Sequence, residues 1–425
     1  MKIKRIDLDG YKNLNGINID INDNSNALIL IGDNGSGKTN MIEAIVKIID
    51  GSFGTFRTNE NVFDYNNVRY RIRYECYGQL NELTDIDTIE KIENQKNTLP
   101  HNIVLYSAGD SKRIYELIYE KKKRISDINL LNLNYYTQKM LVVNWLIENK
   151  FDGFTLEYIV MHLKPTSFEN LIEKSLNNKS INKNFTLFLM VLKNKISNFT
   201  RNTTMKIELH LSELQQIYRE ADQDLFVLFL ELEKQNVFSN YKKSNTDYLE
   251  IFLDSNKDNE IIEFSAFGEG TQLLMSLYAT VAKFNKEETL FIMDEPDCFI
   301  HPRNVNKLVE VISNSDNQFI LTTHSPKLIS RIENATVYRL NRDSKSNHNY
   351  YGRRIDYLYE DLMDFDSHPN EIKIEIKSID ALIQESKFEI AKSRLSKLEQ
   401  VLGENDTDVT TLRVRLSIME KLSND

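Results

Sequence analysis

One short stretch near the start of the chain has the residue types and the spacing that phosphate binding requires. Gly32-Asp33-Asn34-Gly35-Ser36-Gly37-Lys38-Thr39 matches the pattern G-x-x-x-x-G-K-[ST] in full. Glycines let backbone N–H groups turn inward around a phosphate, and the start of the following helix adds its positive end. The lysine suits the β- and γ-phosphates, and the threonine hydroxyl suits Mg²⁺. The stretch predicts a site for ATP and magnesium, with contacts from Gly32, Asn34, Gly35, Ser36, Gly37, Lys38 and Thr39.

Two acidic residues at the end of an apolar run supply a second part of such a site. Leu290-Phe291-Ile292-Met293 precedes Asp294 and Glu295. In phosphoryl-transfer sites one carboxylate holds the magnesium ion, and another residue orients or activates the attacking water. We therefore assign Asp294 to the metal and Glu295 to catalysis. The alternative is a strand that ends in two solvated acids, and the phosphate-binding stretch in the same chain makes it the weaker interpretation.

A histidine follows the next apolar run. Phe319-Ile320-Leu321-Thr322-Thr323 leads into His324. An imidazole at this place can contact the γ-phosphate and respond to its loss, because histidine changes charge near neutral pH. A single histidine at a strand end is more often structural. Its position one strand after Glu295 favours a catalytic role for His324.

The elements around these residues alternate in an α/β pattern. Residues 27–31 are a continuous apolar run, as in a strand buried on both faces, and apolar residues recur at helical spacing over 41–49. Strand and helix patterns alternate again over 248–341, whereas 110–200 is mostly helical in pattern. The predicted fold class is therefore α/β, a P-loop head split by a helical insertion.

Four parts follow from this pattern. We expect residues 1–110 and 246–345 to form the two halves of the head, and residues 111–245 to form a mainly helical insertion. Apolar residues at alternating spacings of three and four predict three short amphipathic helices near the end of the chain, with a break at Gly403. Residues 346–425 are interpreted as a helical tail that binds a partner.

The composition is that of an ordinary globular protein. The 63 acidic and 53 basic residues give a formal net charge of −10, which argues against a surface that coats DNA broadly. The run Lys121-Lys122-Lys123-Arg124 is either a solvated helix face or a local nucleic-acid contact. The two cysteines do not suffice for a disulfide framework, and we find no signal-peptide pattern. With no apolar run long enough for a bilayer, we expect a cytoplasmic protein without a membrane partner.

Together, residues 32–39, the phrase Asp294-Glu295-Pro296-Asp297 and His324 resemble the heads of ABC-type ATPases. The resemblance is greatest to the branch of overcoming-lysogenisation, RecF and SMC-like ATPases. It implies a homodimer or higher oligomer, in which ATP lies between the P-loop of one subunit and the signature segment of another. The family's glutamine loop has two candidates here, Gln79 and the turn Ser107-Ala108-Gly109.

The signature segment departs from the family's pattern. The family has Leu-Ser-x-Gly-Glu/Gln, whereas this chain has Phe264-Ser265-Ala266-Phe267-Gly268-Glu269-Gly270. The resemblance assigns Gly268 and Glu269 to nucleotide binding, but Ala266 stands where the serine belongs. Loss of one transition-state donor costs roughly 10²–10³ in rate. We therefore expect ATP binding with slow hydrolysis.

The end of the chain is similar to a narrower group. Tyr350-Tyr351-Gly352-Arg353-Arg354-Ile355-Asp356 and the helical segment after it resemble PtuA-like ATPases of Septu antiphage systems, which also serve as effectors in some retrons. The resemblance implies a separate HNH nuclease of the PtuB kind that ATP restrains or licenses. In a retron it further implies a reverse transcriptase and its msDNA as partners.

Other functions stay open at this point. The six histidines besides His324 are scattered, so the sequence predicts no HNH metal site in this chain. A DNA repair or recombination ATPase of the RecF/SMC-like kind would need a basic surface, which the negative net charge does not favour. A scaffold that binds ATP without significant turnover is a further alternative because of Ala266. The long insertion and the altered signature argue against a transporter subunit.

Overall fold

The computed structural model describes residues 1–49, 68–85, 98–107, 129–132, 135–177, 182–195, 205–220, 224–239, 248–255, 260–340, 350–363 and 368–424. These residues form fourteen strands and thirteen helices. They divide into two compact units, Met1–Arg353 and Arg354–Asp425. Among the helices of the described ranges, none is long and apolar enough to cross a membrane.

A six-stranded parallel sheet lies at the centre of the first unit. Its strands are β3 (Ala27–Ile31), β6 (Asn102–Ser107), β7 (Asn129–Asn132), β12 (Thr289–Asp294), β13 (Gln318–Thr322) and β14 (Ala335–Arg339). Their order is β14-β3-β13-β12-β6-β7, and each neighbouring pair is parallel. Every residue of β3, β13 and β14 is buried. Burial on both faces explains why these strands are mostly apolar in sequence.

A second sheet is antiparallel and contains the start of the chain. Its strands are β1 (Lys2–Asp9), β2 (Ile17–Asp20), β4 (Arg69–Cys76) and β5 (Gln79–Thr84), in the order β2-β1-β4-β5. Apolar residues of β1 share one core with residues of β3 and of α1 (Lys38–Ile49). Helix α1 is buried along most of its length because it packs within this shared core.

The third sheet joins two parts that the sequence pattern separates. It contains β8 (Phe154–Leu163), β9 (Met205–His210), β10 (Leu249–Ser255) and β11 (Glu260–Glu263), in the antiparallel order β11-β10-β8-β9. Strands β8 and β9 lie within 111–245, whereas β10 and β11 lie within 246–345. Part of the predicted insertion therefore lies in one sheet with strands that follow it in the chain. The domain boundaries themselves stay a prediction.

Eight further helices complete the first unit. They are α2 (Tyr135–Leu146), α3 (Pro165–Asn177), α4 (Lys183–Asn194), α5 (Leu211–Glu220), α6 (Leu225–Lys234), α7 (Glu269–Phe284), α8 (Val305–Ser313) and α9 (Pro326–Ile329). Helix α2 packs against α7 and against β10 of the third sheet. The fold class expected from the sequence, an α/β P-loop head, is confirmed by the central parallel sheet and its flanking helices.

The second unit is helical. It contains α10 (Ile355–Met363), α11 (Asn370–Gln384), α12 (Phe388–Leu402) and α13 (Thr407–Asn424). One core cluster joins the buried stripes of α11, α12 and α13. Gly403 follows α12 with a φ of +94°, a backbone conformation that glycine adopts without strain. The three amphipathic helices predicted from the sequence are confirmed, and their function is untested.

Candidate nucleotide-binding site

Three neighbouring strands of the central sheet bring the predicted phosphate-binding and acidic residues together. Strand β3 leads into the loop before α1, β12 ends at Asp294, and β13 lies between them. Thr39 Oγ1 donates to Asp294 Oδ2 at 3.3 Å, and the Thr322 hydroxyl donates to Asp294 Oδ1. Thr39 and Asp294 are 255 positions apart in the chain. They meet because the carboxyl ends of parallel strands share one edge of the sheet, where ligands of open α/β folds bind.

The loop between β3 and α1 has a backbone shape that favours glycine. The φ angles are +147° at Gly32, +83° at Gly35 and +106° at Gly37. A Cβ atom at Gly37 would lie 2.8 Å from Leu14 Cδ2, and one at Gly32 would lie 2.7 Å from Ser36 Oγ. Larger residues would force the loop to shift, so its curled backbone depends on these glycines.

Asn13 forms hydrogen bonds with this loop and with the start of α1, although it is not part of the phosphate-binding motif. Asn13 Nδ2 donates to the carbonyl oxygen of Gly35 at 3.1 Å, and Asn40 Nδ2 donates to Asn13 Oδ1 at 2.7 Å. Asn13 lies in a tight turn in which Tyr11 and Leu14 exchange backbone hydrogen bonds. Its residue type predicts only a turn, because its contact with the loop depends on the packing of β1 beside α1.

The side chains of Lys38 and Ser36 fit the phosphates of a nucleotide. Lys38 Nζ donates to the carbonyl oxygens of Gly32 at 2.8 Å and Asp33 at 3.3 Å. Lys38 is only 8% exposed, and burial lowers the pKa of its ammonium group, although nearby carboxylates oppose this. Ser36 Oγ is buried and has no hydrogen-bond partner among the described residues. A buried ammonium and an unpaired hydroxyl beside a glycine loop are both satisfied when phosphate oxygens supply acceptors.

The oxygen atoms of Thr39 and Asp294 fit a magnesium ion. Magnesium takes hard oxygen ligands and is usually bound through one or two protein oxygens, several waters and the phosphates of its nucleotide. The hydroxyl of Thr39 and a carboxylate oxygen of Asp294 already lie within 3.3 Å of each other. The Thr322 hydroxyl holds the other carboxylate oxygen and so fixes the orientation of Asp294. The residues therefore suit both parts of Mg²⁺-ATP.

Glu295 and His324 lie side by side next to this group. Glu295 has a φ of +54°, and its amide donates to the Thr322 carbonyl oxygen at 3.1 Å. A left-handed backbone at a non-glycine residue costs energy and persists where surrounding contacts enforce it. His324 Nε2 and Glu295 Oε1 are 3.7 Å apart, and both side chains are more than 40% exposed. The distance is too long for a direct hydrogen bond, and the exposure gives water access to both groups.

A third carboxylate, that of Asp297, connects the loop of Glu295 to the loop of His324. The Thr323 hydroxyl donates to both carboxylate oxygens of Asp297, at 2.8 and 3.0 Å. The amide of Ser325 donates to the same hydroxyl at 2.9 Å. Burial raises the pKa of Asp297, and hydrogen bonds partly oppose this. Sequence reasoning placed Asp297 only in the family phrase, because its contact crosses from one loop to another.

The signature segment lies at the start of α7, and four of its residues, Ser265, Ala266, Gly268 and Glu269, are exposed. Ser265 Oγ donates to Glu263 Oε1, and Ala266 is exposed. Gly268 precedes the first turn of α7, and a Cβ atom there would meet nothing within 4 Å. Glu269 is also exposed. In the described contacts, Gly268 and Glu269 do not join the group formed by Lys38, Thr39 and Asp294. They lie where a second molecule could reach them.

The two candidates for the glutamine loop lie at opposite ends of the parallel strands. Gln79 begins β5 directly after the turn at Tyr77, whose amide donates to Glu288 Oε1 at 3.1 Å. Glu288 precedes β12, so this turn lies at the amino ends of the parallel strands, opposite Asp294. Gln79 is therefore wrong as a glutamine-loop candidate. Ser107 ends β6 level with Asp294, and residues 108–109 lie outside the described part. The basic run 121–124 lies outside it as well.

The remaining histidines of interest have local contacts. His301 Nδ1 accepts from the amide of Arg303 at 3.2 Å and so caps a short 3-10 turn. His368 Nε2 lies 3.0 Å from Asp408 Oδ2, near Asp406, and this is the one group of three metal-ligating side chains in the described ranges. Asp406 Oδ1 accepts from the amide of Asp408 at 2.9 Å, so this carboxylate caps α13. These contacts explain the group without a metal.

Comparison with known proteins gives relatives among P-loop ATPases. A family profile described as "AAA domain, putative AbiEii toxin, Type IV TA system" matches residues 162–330, less than half of the chain. "Retron Ec83 probable ATPase" of Escherichia coli is 21% identical over 499 residues, with 100% of this chain and 88% of the relative covered. "Endonuclease GajA" of Bacillus cereus (strain HuB5-5) is 24% identical, with 78% and 55% covered.

A third relative extends the group toward DNA repair. "DNA replication and repair protein RecF" of Clostridium perfringens (strain SM101 / Type A) is 30% identical over 154 residues, which cover 32% of this chain and 41% of the relative. The chain thus spans little more than half of the endonuclease and less than half of RecF. Together these similarities support an ATPase of the antiphage-defence or RecF-like kind.

Proposed function

We propose that the chain is an ATP-binding, slowly hydrolysing regulatory subunit of an antiphage defence complex, and that it controls a separate HNH nuclease of the PtuB kind. The observation that carries the nucleotide part is the group at the sheet edge. Lys38, Thr39 and Asp294 come from distant parts of the chain and converge on one glycine loop. Their chemistry matches the phosphates and the magnesium of Mg²⁺-ATP.

Each residue of the group has a distinct role in this proposal. The loop amides and the Lys38 ammonium bind the phosphates, and Thr39 and Asp294 would hold the metal, which would neutralise phosphate charge. Glu295 orients the attacking water and accepts its proton. His324 contacts the γ-phosphate on the side of Glu295. The open geometry around Glu295 and His324 leaves room for that water.

The signature segment acts in a second subunit. Its exposed position at the start of α7 supports a head-to-head dimer or higher oligomer, in which Gly268 and Glu269 approach the nucleotide of the partner. The amides at the start of α7 can donate to phosphate. Ala266 has no hydroxyl to donate, and the Ser265 hydroxyl is engaged with Glu263. Slow turnover follows, because one transition-state donor is absent.

A separate nuclease is proposed for two reasons. Among the described residues, the only group of three metal-ligating side chains is the one at His368, where a carboxylate already caps a helix. A relative that is covered over 88% of its own length is named an ATPase, which supports a nuclease carried by another protein. The helical unit 354–425 is the proposed binding element for the nuclease. Reverse transcriptase and msDNA are further proposed partners if the chain belongs to a retron.

Two other functions have some support. The similarity to RecF favours a DNA repair ATPase, which would turn over ATP faster when DNA is added. The exposed methyl group of Ala266 favours an ATP-bound scaffold with negligible turnover. The two differ from the main proposal in what stimulates hydrolysis and in what co-purifies.

The experiment is co-purification of the tagged chain with its neighbouring gene products, with and without ATP, followed by an ATPase assay with and without DNA. We expect a stable complex with an HNH protein and slow turnover that DNA does not change. A chain that purifies alone and responds to DNA would support the repair ATPase.

Glu295→Gln should trap ATP and favour head dimers, and Glu333→Gln is its charge-matched control on an exposed side chain. Equal turnover and assembly in both variants would indicate the inert scaffold.

A further inference from the structure

One face of the sheet β11-β10-β8-β9 is packed, and the other carries polar and aromatic side chains. Leu249, Ile251 and Leu253 of β10 are fully buried. The residues that alternate with them, Glu250, Phe252 and Asp254, are only partly buried. Side chains alternate along a strand, so these residues lie on the opposite face from the leucines. Helices α2 and α5 pack against strands of this sheet, and the buried leucines account for the packed side.

A row of aromatic rings crosses the outer face. Backbone register places Phe252 opposite Tyr158, and Tyr158 opposite His210. The rings of Tyr158 and Phe252 are stacked, with centroids 4.4 Å apart and an interplanar angle of 15°. The rings of Tyr158 and His210 are 5.4 Å apart. Ile261, on the neighbouring β11, is 51% exposed and adds apolar surface beside the row.

Carboxylates surround this aromatic row. Glu263 lies opposite Phe252 in the register of β11 and β10. Burial raises the pKa of Tyr158, and the negative charges of Glu208, Glu250 and Glu263 raise it further. Lys206 is the only lysine or arginine in the four strands. It pairs in register with His162, beyond the row. The face therefore combines partly exposed rings with an acidic border, in which Glu250 Oε1 already lies 3.0 Å from His162 Nε2.

We propose that this acidic aromatic face, formed by Tyr158, Phe252, Asp254 and Glu263, binds an arginine-bearing segment of a protein partner. A guanidinium group stacks on aromatic rings and donates to carboxylates in the same plane. Its apolar stem can lie along Ile261 at the edge of the face. Phosphate backbones are repelled by the same carboxylates, so a nucleic acid does not fit this face.

The test uses the full chain and three probes at low and high salt. They are the peptide acetyl-Arg-Ala-Arg-Ala-Arg-amide, its lysine counterpart and single-stranded dT10. Calorimetry gives affinities, and NMR of ¹³C-tyrosine-labelled protein, with the Tyr158 signal assigned from Tyr158→Phe, locates the binding. We expect the arginine peptide to bind more tightly than the lysine peptide, to shift the Tyr158 signal and to weaken with salt. Tighter binding of dT10 with the same shift would overturn the proposal.

Matched variants separate this face from general charge attraction. Phe252→Leu keeps an apolar side chain but removes the ring, and we expect about tenfold weaker binding of the arginine peptide. Glu263→Gln should weaken binding, whereas Glu260→Gln, on the same strand but on the alternate side, should not. Equal affinities in all three variants contradict the proposal. If Phe252→Leu fails the thermal-unfolding check, Tyr158→Leu takes its place with the same expected loss.

Discussion

At the scale of single residues, Lys38 is the side chain on which nucleotide binding depends most. Lys38→Ala removes an ammonium group that lies in the glycine loop, with carbonyl oxygens as its present acceptors. Charged hydrogen bonds contribute about 1.5–3 kcal/mol each, so we expect ATP affinity to fall by about 100-fold or more. The measurement is fluorescence titration with a labelled ATP analogue. Lys286→Ala, at an exposed lysine, is the charge-matched control, and equal affinities in both variants would refute the role of Lys38.

The buried state of Lys38 also predicts a pH dependence of binding. Burial lowers the pKa of Lys38 in the free chain, and bound phosphates raise it again because they favour the charged form. In the pH range between these two pKa values, binding takes up a proton. The dissociation constant should therefore rise as pH increases through the free-chain pKa, by up to about tenfold per pH unit.

Calorimetry in two buffers of different ionisation enthalpy checks this linkage. The observed binding enthalpy should change with the buffer at pH values above the lowered pKa of Lys38 in the free chain, where binding takes up a proton. An enthalpy that does not depend on the buffer at any pH would show that Lys38 is fully charged in the free chain.

The residues of the site differ in how far the sequence could predict them. The loop residues 32–39 are consecutive, so spacing alone identifies them. Asp294 and Glu295 follow an apolar strand, which is again a local pattern. Asn13 and the Asp297–Thr323 contact could not be predicted, because each depends on which loops the fold brings together.

At the scale of elements, two glycines at the start of α7 have opposite surroundings. A Cβ atom at Gly270 would lie 2.4 Å from the Phe299 carbonyl oxygen, whereas one at Gly268 would meet nothing within 4 Å. Gly270→Ala should therefore lower stability by about 1–3 kcal/mol, because α7 or the loop at Phe299 must shift. Gly268→Ala should leave stability and ATP binding unchanged but weaken ATP-dependent association, since a partner's nucleotide needs the open space.

Thermal unfolding and light scattering with a non-hydrolysable ATP analogue measure these two effects. The pair is its own control, since both changes add one methyl group to the same turn. Unchanged assembly of Gly268→Ala would exclude a nucleotide contact at this position. An unchanged free energy of unfolding in Gly270→Ala would show that the loop at Phe299 can move to accommodate the methyl group.

Elements were predictable where periodicity is local. The apolar stripes of α11, α12 and α13 gave the three tail helices, and the run Ala27–Ile31 gave a central strand. The third sheet was not predicted, because its strands come from both sides of a presumed boundary. Gln79 was misplaced because the direction of a hairpin relative to the parallel sheet is a tertiary feature.

At the scale of the whole molecule, the two compact units predict separable functions. A chain that ends at Arg353 keeps every described residue of the nucleotide site, and the helical unit retains its own core. We expect the shortened chain to bind ATP with unchanged affinity and to lose the co-purifying nuclease. Nucleotide titration and pull-down of the partner measure the two properties.

A full chain with substitutions at Val414 and Ile418 tests the surface of the helical unit without removing the unit. Both side chains are more than half exposed, so Val414→Ser with Ile418→Ser should preserve the helices while reducing partner binding. Retention of the nuclease by the shortened chain would reject this unit as the binding element.

The order of the central sheet has a consequence for synthesis of the chain. Strand β3 pairs with β13 and β14, which follow it by about 290 residues or more. At about 5–20 residues per second, the ribosome needs roughly 15–60 s to supply these neighbours. During that time the apolar strand β3 lacks its neighbours β13 and β14. We therefore expect the nascent chain to need chaperones or non-native contacts that cover this strand. The same delay keeps a half-made subunit from holding ATP, since Asp294 is translated long after Lys38.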